Sequence, residues 1–461
     1  MTRTTRRGFL RTAASAASSW WILQDARSAS SYQANEKLNL AVVGLGSRGT
    51  HHFNTVPRVG QNVAAICDSD KNRTADAAKR MPKVAQFQDF RKMLDELDQK
   101  LDGLIVATPE HTHAVISARA MERGKHVFCE KPCAHDVSEA RALRRIARQK
   151  KVATQMGNQG MASDSFRRTL ELIEDGAIGE IREAHVWYVF GGAGPKKLPE
   201  GSQPVPDYLD WEVWLGPARF RPYHPAYEKG WGMWRDFATG CLGGGGSHSI
   251  NVAFKALKLR EMFRRGGEAK GTIRVETEMS QRCPDTHPHW QIVRFKIPKR
   301  GAIPAATIHW YDGPEQELVR LGVWAKLEKI AGRPLEWKDK SWTPRSGTLL
   351  VGSKGVVHTN AHNSVCEFLP KGDFPNAKGP PQRLPHVRGH EIEWFQACRG
   401  EGPAPLSCFD HSGPAMELLL LGNVASLCEG PLEFDPAAMK IVNNAEADAL
   451  LRPEHREGWT V

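Results

Sequence analysis

No stretch of this 461-residue sequence stays apolar for the roughly 18 residues that a membrane-spanning helix needs. Cysteine occurs only nine times, at positions 67, 129, 133, 241, 283, 366, 398, 408 and 428, and no paired CxxC appears at zinc-ligand spacing. An odd count without a dense framework implies mostly buried free thiols, no disulfide and no metal site. Runs of one charge are missing as well. The formal net charge is +11, of which the first 30 residues supply +4 through five arginines and one aspartate. The remaining positive charge is scattered, which describes a solvated basic surface and excludes nucleic acid as the expected partner. No internal repeat or low-complexity tract follows residue 30.

What is present is the composition of a globular protein, 40% hydrophobic and 25% charged, on a chain too long for one ordinary core. Two domains are therefore expected. The stretch Leu38 to Gly49, LNLAVVGLGSRG, runs an apolar strand into Gly44-x-Gly46-x-x-Gly49. In a dinucleotide-binding turn the first glycine permits the tight bend, the second lets backbone approach a pyrophosphate, and the third lets the new helix lie against the strand. Phosphates would rest on the first N–H groups of that helix, where its dipole favours negative charge. A second apolar strand, Val63 to Cys67, ends in Asp68, 24 residues after Gly44. That spacing suits a carboxylate that binds the ribose hydroxyls of NAD.

Taken in order, residues 1–30 read as a targeting segment. Thr5-Arg6-Arg7-Gly8-Phe9-Leu10-Arg11 resembles the twin-arginine export signal, followed by an alanine- and serine-rich stretch to Leu23, with cleavage expected near Ala26 to Ala29. Residues 36–155 read as a doubly wound, parallel Rossmann domain. Helices are expected over Asn72–Met81, Asp89–Leu97 and His111–Arg123. A helix capped by Asp136 with Glu139 in a capping box runs to Gln149, and Phe166–Glu174 forms another. Strands are expected over Gly103–Ala107 and His126–Glu130. From residue 156 to the end the pattern describes an α+β domain around a mainly antiparallel open sheet. Its strands include Ile181–Phe190, Trp290–Ile297 and Ala306–Tyr311, and helices are few. One sheet face is expected to be packed and the other free to cover a site. Gly389–Cys398 and Pro414–Leu427 read as helices, and Leu432–Val461 as a tail.

Three more motifs stand at the ends of expected strands, where open parallel sheets bind ligands: Ala107-Thr108-Pro109-Glu110-His111-Thr112-His113, Cys129-Glu130-Lys131-Pro132 and Gly157-Asn158-Gln159. With Asp210-Trp211-Glu212-Val213-Trp214-Leu215-Gly216-Pro217, Arg221-Pro222-Tyr223-His224-Pro225 and Ser412-Gly413-Pro414, they make the chain resemble the Gfo/Idh/MocA oxidoreductases from about Leu38 to Val461. More narrowly, it is similar to their secreted branch. The resemblance implies that Gly44, Gly46, Ser47, Arg48 and Gly49 bind the pyrophosphate and Asp68 the adenosine ribose. It places Thr108, Pro109 and His113 along the nicotinamide, with Asn158 also toward the cofactor. Glu130 and Lys131 match the family's Glu-Lys-Pro, whose lysine reaches both cofactor and substrate hydroxyl.

The same resemblance assigns acid–base work to His248, in Thr239-Gly240-Cys241-Leu242-Gly243-Gly244-Gly245-Gly246-Ser247-His248. A histidine there can carry a hydroxyl proton as hydride leaves the carbon. The family's aspartate four residues earlier is Gly244 here, and Asp236 is a candidate substitute. Tyr223 and His224 are expected at the pocket rim. Trp211, Trp214, Trp231 and Trp234 are either a sugar platform or core and interface aromatics, the latter favoured. The expected activity is hydride transfer between a sugar, cyclitol or glycoside carbon and tightly bound NAD, with Arg48 and Arg73 leaving NADP open. The resemblance also implies a homo-oligomer, and the signal implies a periplasmic or secreted protein that uses the twin-arginine machinery. Loss of the aspartate leaves a redox-neutral lyase, epimerase or glycoside hydrolase as the alternative. A non-catalytic sensor is disfavoured by the intact Glu130-Lys131-Pro132 together with His248.

Overall fold

The computed structural model describes residues 37–461, except 265, 267–270, 336–344, 375–376 and 378. The expected export signal and its cleavage region lie outside the described residues.

The first sheet is built from β1 (Asn39–Val43), β2 (Asn62–Cys67), β3 (Ala85–Phe87), β4 (Gly103–Val106), β5 (His126–Cys129) and β6 (Thr154–Met156). All pairings are parallel, in the order β3-β2-β1-β4-β5-β6. Between them run α1 (Ser47–Arg58), α2 (Lys71–Ala78), α3 (Phe90–Leu97), α4 (His113–Glu122) and α5 (Val137–Lys150). The strands are short and apolar because both faces are covered. On β1, Leu40 packs with Val56 of α1, while Ala41 and Val43 face the core containing Met93 and Leu94 of α3. Asp136 and Glu139 form the expected capping box at the start of α5. Strand order reverses between β1 and β4, so the loops after these two strands splay apart and leave a crevice at their carboxyl ends.

After α6 (Asp164–Glu174) the chain enters a nine-stranded sheet made of β7 (Ile181–Tyr188), β8 (Ile273–Met279), β9 (Gln291–Ile297), β10 (Ala306–Asp312), β11 (Gly347–Gly352), β12 (Val356–Asn360), β13 (Cys366–Leu369), β14 (Leu432–Asp435) and β15 (Lys440–Ile441). Its order is β13-β12-β11-β7-β10-β9-β8-β14-β15. Only β7 and β10 pair in parallel, and every other pairing is antiparallel. The expected α+β grammar therefore holds, with two differences. Short helices are common: α7 (Trp211–Leu215), α8 (Pro225–Lys229), α9 (Gly240–Gly244), α10 (Gly246–Ser249), α11 (Asn251–Ala256), α12 (Glu315–Arg320) and α13 (Val323–Ala331). Beyond α14 (His390–Cys398) and α15 (Phe409–Ala425), residues 432–461 are an edge of the sheet plus α16 (Ala445–Ala449), not a loose tail. Leu432, Phe434, Ile441 and Trp459 are buried there, so burial and pairing with β8 hold the segment.

The two sheets share one core. The inner face of the large sheet, with Ala184, Val186, Phe295, Ile308 and Trp310, packs through Leu418 and Leu419 of α15 toward Leu143 of α5. Helix α14 crosses back onto the first sheet, where Trp394 and Phe395 meet Leu38, Ile105 and Phe128. The outer face is partly covered by α12 and α13 through Leu318, Trp324 and Leu327. Elsewhere it carries the cross-strand ion pairs Arg274–Glu433, Arg294–Glu278 and Lys296–Glu276. This face does not cover the crevice. The loop segment between β7 and β8 does, through Leu209, Trp214, Glu228 and Trp231. All nine cysteines are free thiols, seven of them buried.

A nucleotide cleft joined to a glycine-floored chamber

The turn after β1 is shaped by backbone contact. Gly44 has φ +86°, and a Cβ there would lie 2.6 Å from the backbone of Ala107 and Thr108. A Cβ on Gly49 would fall 1.7 Å from the carbonyl oxygen of Gly44, so only glycine lets α1 start this close to the strand. Gly49 therefore acts through packing and does not line the cleft. Gly46 caps the twelve-residue α1 without any side-chain cap, which leaves the helix start open to an anion. Gly44, Gly46, Ser47, Arg48 and Asp68 line a cleft of about 410 Å³ with Asp70, Arg73, Thr108, Pro109 and His113.

Asp68 is only 7% exposed. Its carboxylate accepts from Leu45 N–H at 2.7 Å and Asp70 N–H at 3.0 Å, which fixes its direction at the cleft wall. Burial raises its pKa, partly opposed by Arg73, whose guanidinium is 3.8 Å away. A carboxylate, an uncapped helix start and glycine-opened backbone on one cleft are the donor and acceptor set that NAD requires, so the residues present fit that cofactor.

The Glu130-Lys131 turn follows β5. Burial would raise the pKa of Glu130, but His52, at 2.7 Å, and Arg48, at 2.8 Å, hold it far below the carboxylate range. A carboxylate only accepts, so His52 Nε2 carries the hydrogen. Glu130 thus anchors α1 to the turn that presents Lys131. His113 ties the neighbouring loops together, with Nδ1 2.7 Å from the Pro132 carbonyl and Nε2 2.8 Å from that of Thr108. Its pKa is lowered by burial. Lys131 Nζ donates to the Gly244 carbonyl at 3.3 Å, across to the second domain.

A second cavity of about 700 Å³ opens beyond Lys131. Its wall includes Gly191, Gly192, Gly240, Gly244 and Gly245, with Tyr188, Phe190, Met233 and His287. Glu110, Lys131 and Trp231 line both cavities and so mark their junction. Phe190 is 65% exposed at this wall. The His287 imidazole, pushed down to about 3 by burial and by Arg235, is neutral, with Nε2 3.0 Å from the Ala238 carbonyl.

Other expected site residues lie elsewhere. Tyr223 is buried among Trp211, Trp214 and Tyr227, and its hydroxyl donates to Glu228 at 2.9 Å. His224 caps α8, accepting from Ala226 N–H. Asp236 is consumed by an ion pair with Arg221 and does not replace an acid at Gly244. Asn158 is buried between the domains, 3.3 Å from Asn251 Oδ1, and does not line the cleft. His248 lines neither cavity. Its ring meets His362 edge-on with centroids 4.5 Å apart, and its enclosed Nδ1 has no hydrogen-bond partner among the described residues. Burial, then the charge of Lys131, holds it well below its ordinary pKa, so it is a neutral imidazole next to Lys131. Of the four tryptophans, Trp211 and Trp234 belong to the aromatic core, Trp214 bridges core and cleft, and Trp231 is at the junction. Glu110, for which the sequence motifs imply no role, stands at a carboxyl strand end in Thr108-Pro109-Glu110 and lines both cavities. Among the described residues, two donor clusters of metal-binding type, Glu183/His185/His309 and Asp136/Glu139/His455, lie away from both cavities.

Comparison with known proteins agrees with this geometry. The profile of the oxidoreductase family's NAD-binding Rossmann fold matches residues 38–158, and that of its C-terminal alpha/beta domain matches residues 182–303. Levoglucosan dehydrogenase of Pseudarthrobacter phenanthrenivorans is 28% identical over 155 residues, covering 32% of this chain and 39% of that protein. Inositol 2-dehydrogenase 2 of Saccharopolyspora erythraea is 30% identical over 170 residues, covering 36% and 49%. The chain thus spans less than half the length of these relatives in the matched regions. Among solved structures, the WlbA dehydrogenase of Chromobacterium violaceum with NADH and UDP-GlcNAcA superposes with a TM-score of 0.58 at 16% identity, covering 87% of this chain and 97% of that one. Levoglucosan dehydrogenase with NADH and L-sorbose gives 0.55 at 16% identity, covering 86% and 99%. At that identity the likeness concerns the fold. The two family profiles together match more than half of the sequence, and the chain belongs to the Gfo/Idh/MocA oxidoreductase family.

Proposed function

We propose that the protein is an NAD-dependent dehydrogenase that oxidises a secondary hydroxyl of a sugar, cyclitol or glycoside. The observation that carries this reading is the position of Lys131, at the junction of a nucleotide-shaped cleft and a chamber of about 700 Å³. The dehydrogenase relatives support it. Bound NAD supplies a hydride acceptor. The chain supplies the rest. The helix start at Gly46–Ser47 and Arg48 hold phosphate, and Asp68 accepts from ribose hydroxyls. Glu130, fixed by His52 and Arg48, sets the turn that aims Lys131. In its neutral amine form the Lys131 side chain takes the hydroxyl proton as the carbon is oxidised, and the resulting ammonium returns it in the opposite direction. His248, neutral and buried, adds no competing charge beside it. Asp68 favours NAD over NADP, because a carboxylate repels a 2′-phosphate. The test is reduction of NAD by a panel of inositols, aldoses and aryl glucosides, with Lys131→Met losing at least ~10²-fold in rate while still binding NADH. A Lys131→Met protein as fast as the parent would remove the assignment.

The reading extends to the cell. Arg6 and Arg7 support export by the twin-arginine route into the periplasm or beyond. That route carries folded proteins, so NAD is loaded before export and retained, and a closed redox cycle follows. Replacing both arginines by lysine keeps the protein in the cytoplasm on this account, and unchanged export would refute it. Copies pair through the outer face of the large sheet, where Glu183, Arg294 and Lys296 stand.

A further inference from the structure

The junction holds a second ionisable group whose arrangement is that of a ligand acceptor. Glu110 begins the short turn after β4 and reaches across to the second domain. Its Oε2 accepts from both the backbone N–H and the hydroxyl of Thr239, each at 2.7 Å. Thr239 is itself fully buried, and its carbonyl accepts from Asn423 at 2.8 Å, so the acceptor is held by fixed partners. Among the described residues no hydrogen bond reaches Oε1. That oxygen lies 3.6 Å from where a Cβ on Gly244 would stand, over the residue whose carbonyl receives Lys131 Nζ. The glycine leaves the space open. A carboxylate with one oxygen pinned and the other free, beside a lysine and a half-exposed tryptophan, is preorganised to accept a hydroxyl hydrogen.

We infer that Glu110 Oε1 is a substrate-binding group that accepts a hydrogen bond from a hydroxyl neighbouring the reacting carbon. The inference rests on the dehydrogenase reading and deepens it: the substrate must carry vicinal hydroxyls, one handled by Lys131 and the next by Glu110. Simple alcohols and sugars deoxygenated beside the reacting carbon are poor substrates, because they lack the hydroxyl that Glu110 Oε1 is placed to meet at the cavity junction.

The experiment uses the full chain loaded with NAD and reads three quantities for the parent, Glu110→Gln and Glu110→Asp. These are NADH affinity by fluorescence, melting temperature, and kcat/KM for myo-inositol, glucose and 4-nitrophenyl glucoside against their monodeoxy analogues. The amide oxygen of Glu110→Gln can still accept from Thr239, so NADH affinity and melting temperature stay at the parent values. For the best polyol kcat/KM falls by roughly 10²-fold, and discrimination against the deoxy analogue shrinks by a similar factor. Glu110→Asp, which keeps the charge but withdraws it by one methylene, is intermediate. Glu110→Gln within about threefold of the parent on every polyol, with NAD turnover intact, overturns this inference alone. So does a loss that tracks melting temperature in both variants, since an interdomain tether would give that result. A parent protein that does not bind NADH overturns the dehydrogenase reading and this inference together.

Discussion

Asp68 is where the cofactor reading can be broken with least collateral change. Replacing it by alanine removes the acceptor for Leu45 N–H and Asp70 N–H, which are 2.7 and 3.0 Å from its oxygens. Leaving such groups unsatisfied costs about 1–3 kcal/mol each when buried, less where the cleft admits water, so the melting temperature drops by several degrees without loss of fold. The ribose contact adds a separate term. A hydrogen bond to a charged acceptor contributes roughly 1.5–3 kcal/mol, so the NAD dissociation constant rises about 10- to 150-fold. NADP responds in the opposite direction. Two unit charges about 5 Å apart at an effective dielectric near 20 repel by roughly 3 kcal/mol, and that repulsion disappears. Arg73, 3.8 Å from Asp68, keeps its ion pair with Asp70 at 3.4 Å and gains a guanidinium edge with which to meet a 2′-phosphate. Preference for NAD over NADP therefore falls by on the order of 10²-fold or more in Asp68→Ala. Fluorescence titration of the parent and variant with NADH and NADPH measures both constants. Unchanged NADH affinity in the variant, or a parent that already prefers NADPH, refutes the role given to Asp68.

Other expected outcomes follow from the same geometry. Gly49→Ala yields no soluble protein, because its Cβ would meet the Gly44 carbonyl at 1.7 Å, whereas Gly46→Ala folds, meeting only the tip of Arg73 at 3.3 Å, and loses NAD affinity. Circular dichroism and NADH titration separate the two. Gly244→Ala keeps the parent fold, since its Cβ makes an ordinary 3.6 Å contact with Glu110, and Gly244→Asp sets a second carboxylate against Glu110 and lowers kcat/KM. A faster Gly244→Asp on the same polyol contradicts this. Asp312, buried and bonded to Trp310 and Gln291, has its pKa pushed up to about 7 by burial. The native state therefore binds the extra proton, and this stabilisation is complete below about pH 4 and lost as pH rises through 7. At 1.36 kcal/mol per unit it amounts to on the order of 4 kcal/mol, and Asp312→Asn flattens that part of the melting-temperature profile between pH 4 and 7. An unchanged profile assigns the slope to other groups.

Sequence alone shows the parts of this protein in which the local rule and the tertiary demand coincide. Apolar strands ending in glycine or acid, and the Asp136/Glu139 capping box, are of that kind, because strand burial and helix capping are decided within a few residues. The start of α15 is not. Pro414 suggests a helix that opens there, yet the helix begins at Phe409, where buried Phe409 and His411 hold the first turns against the core. β14 carries only four residues and is specified by its pairing with β8, which no local pattern encodes. The site divides in the same way. Gly44, Gly46, Ser47, Arg48, Asp68, Thr108, Pro109, His113, Glu130 and Lys131 all meet at one cleft because each follows a parallel strand at its carboxyl end. Tyr223, His224 and Asp236 are near the site in sequence, but their directions are set by Glu228, the α8 N-terminus and Arg221. Glu110 shares that position at the carboxyl end of β4, but its approach to Thr239 and Gly244 is set by the packing of the second domain, which no local pattern encodes.

The central claim is that hydride moves between nicotinamide and a carbinol carbon in the chamber beyond Lys131. Protein loaded with NADH deuterated at nicotinamide C4 and given a panel of keto sugars and inososes tests it most directly, with mass spectrometry of the products. The account predicts one deuterium on the new carbinol carbon of at least one product, with oxidised NAD left on the protein and transfer suppressed at least ~10²-fold in Lys131→Met. Deuterium that stays on the nicotinamide while every keto compound is returned unchanged, or products formed without deuterium, would contradict it.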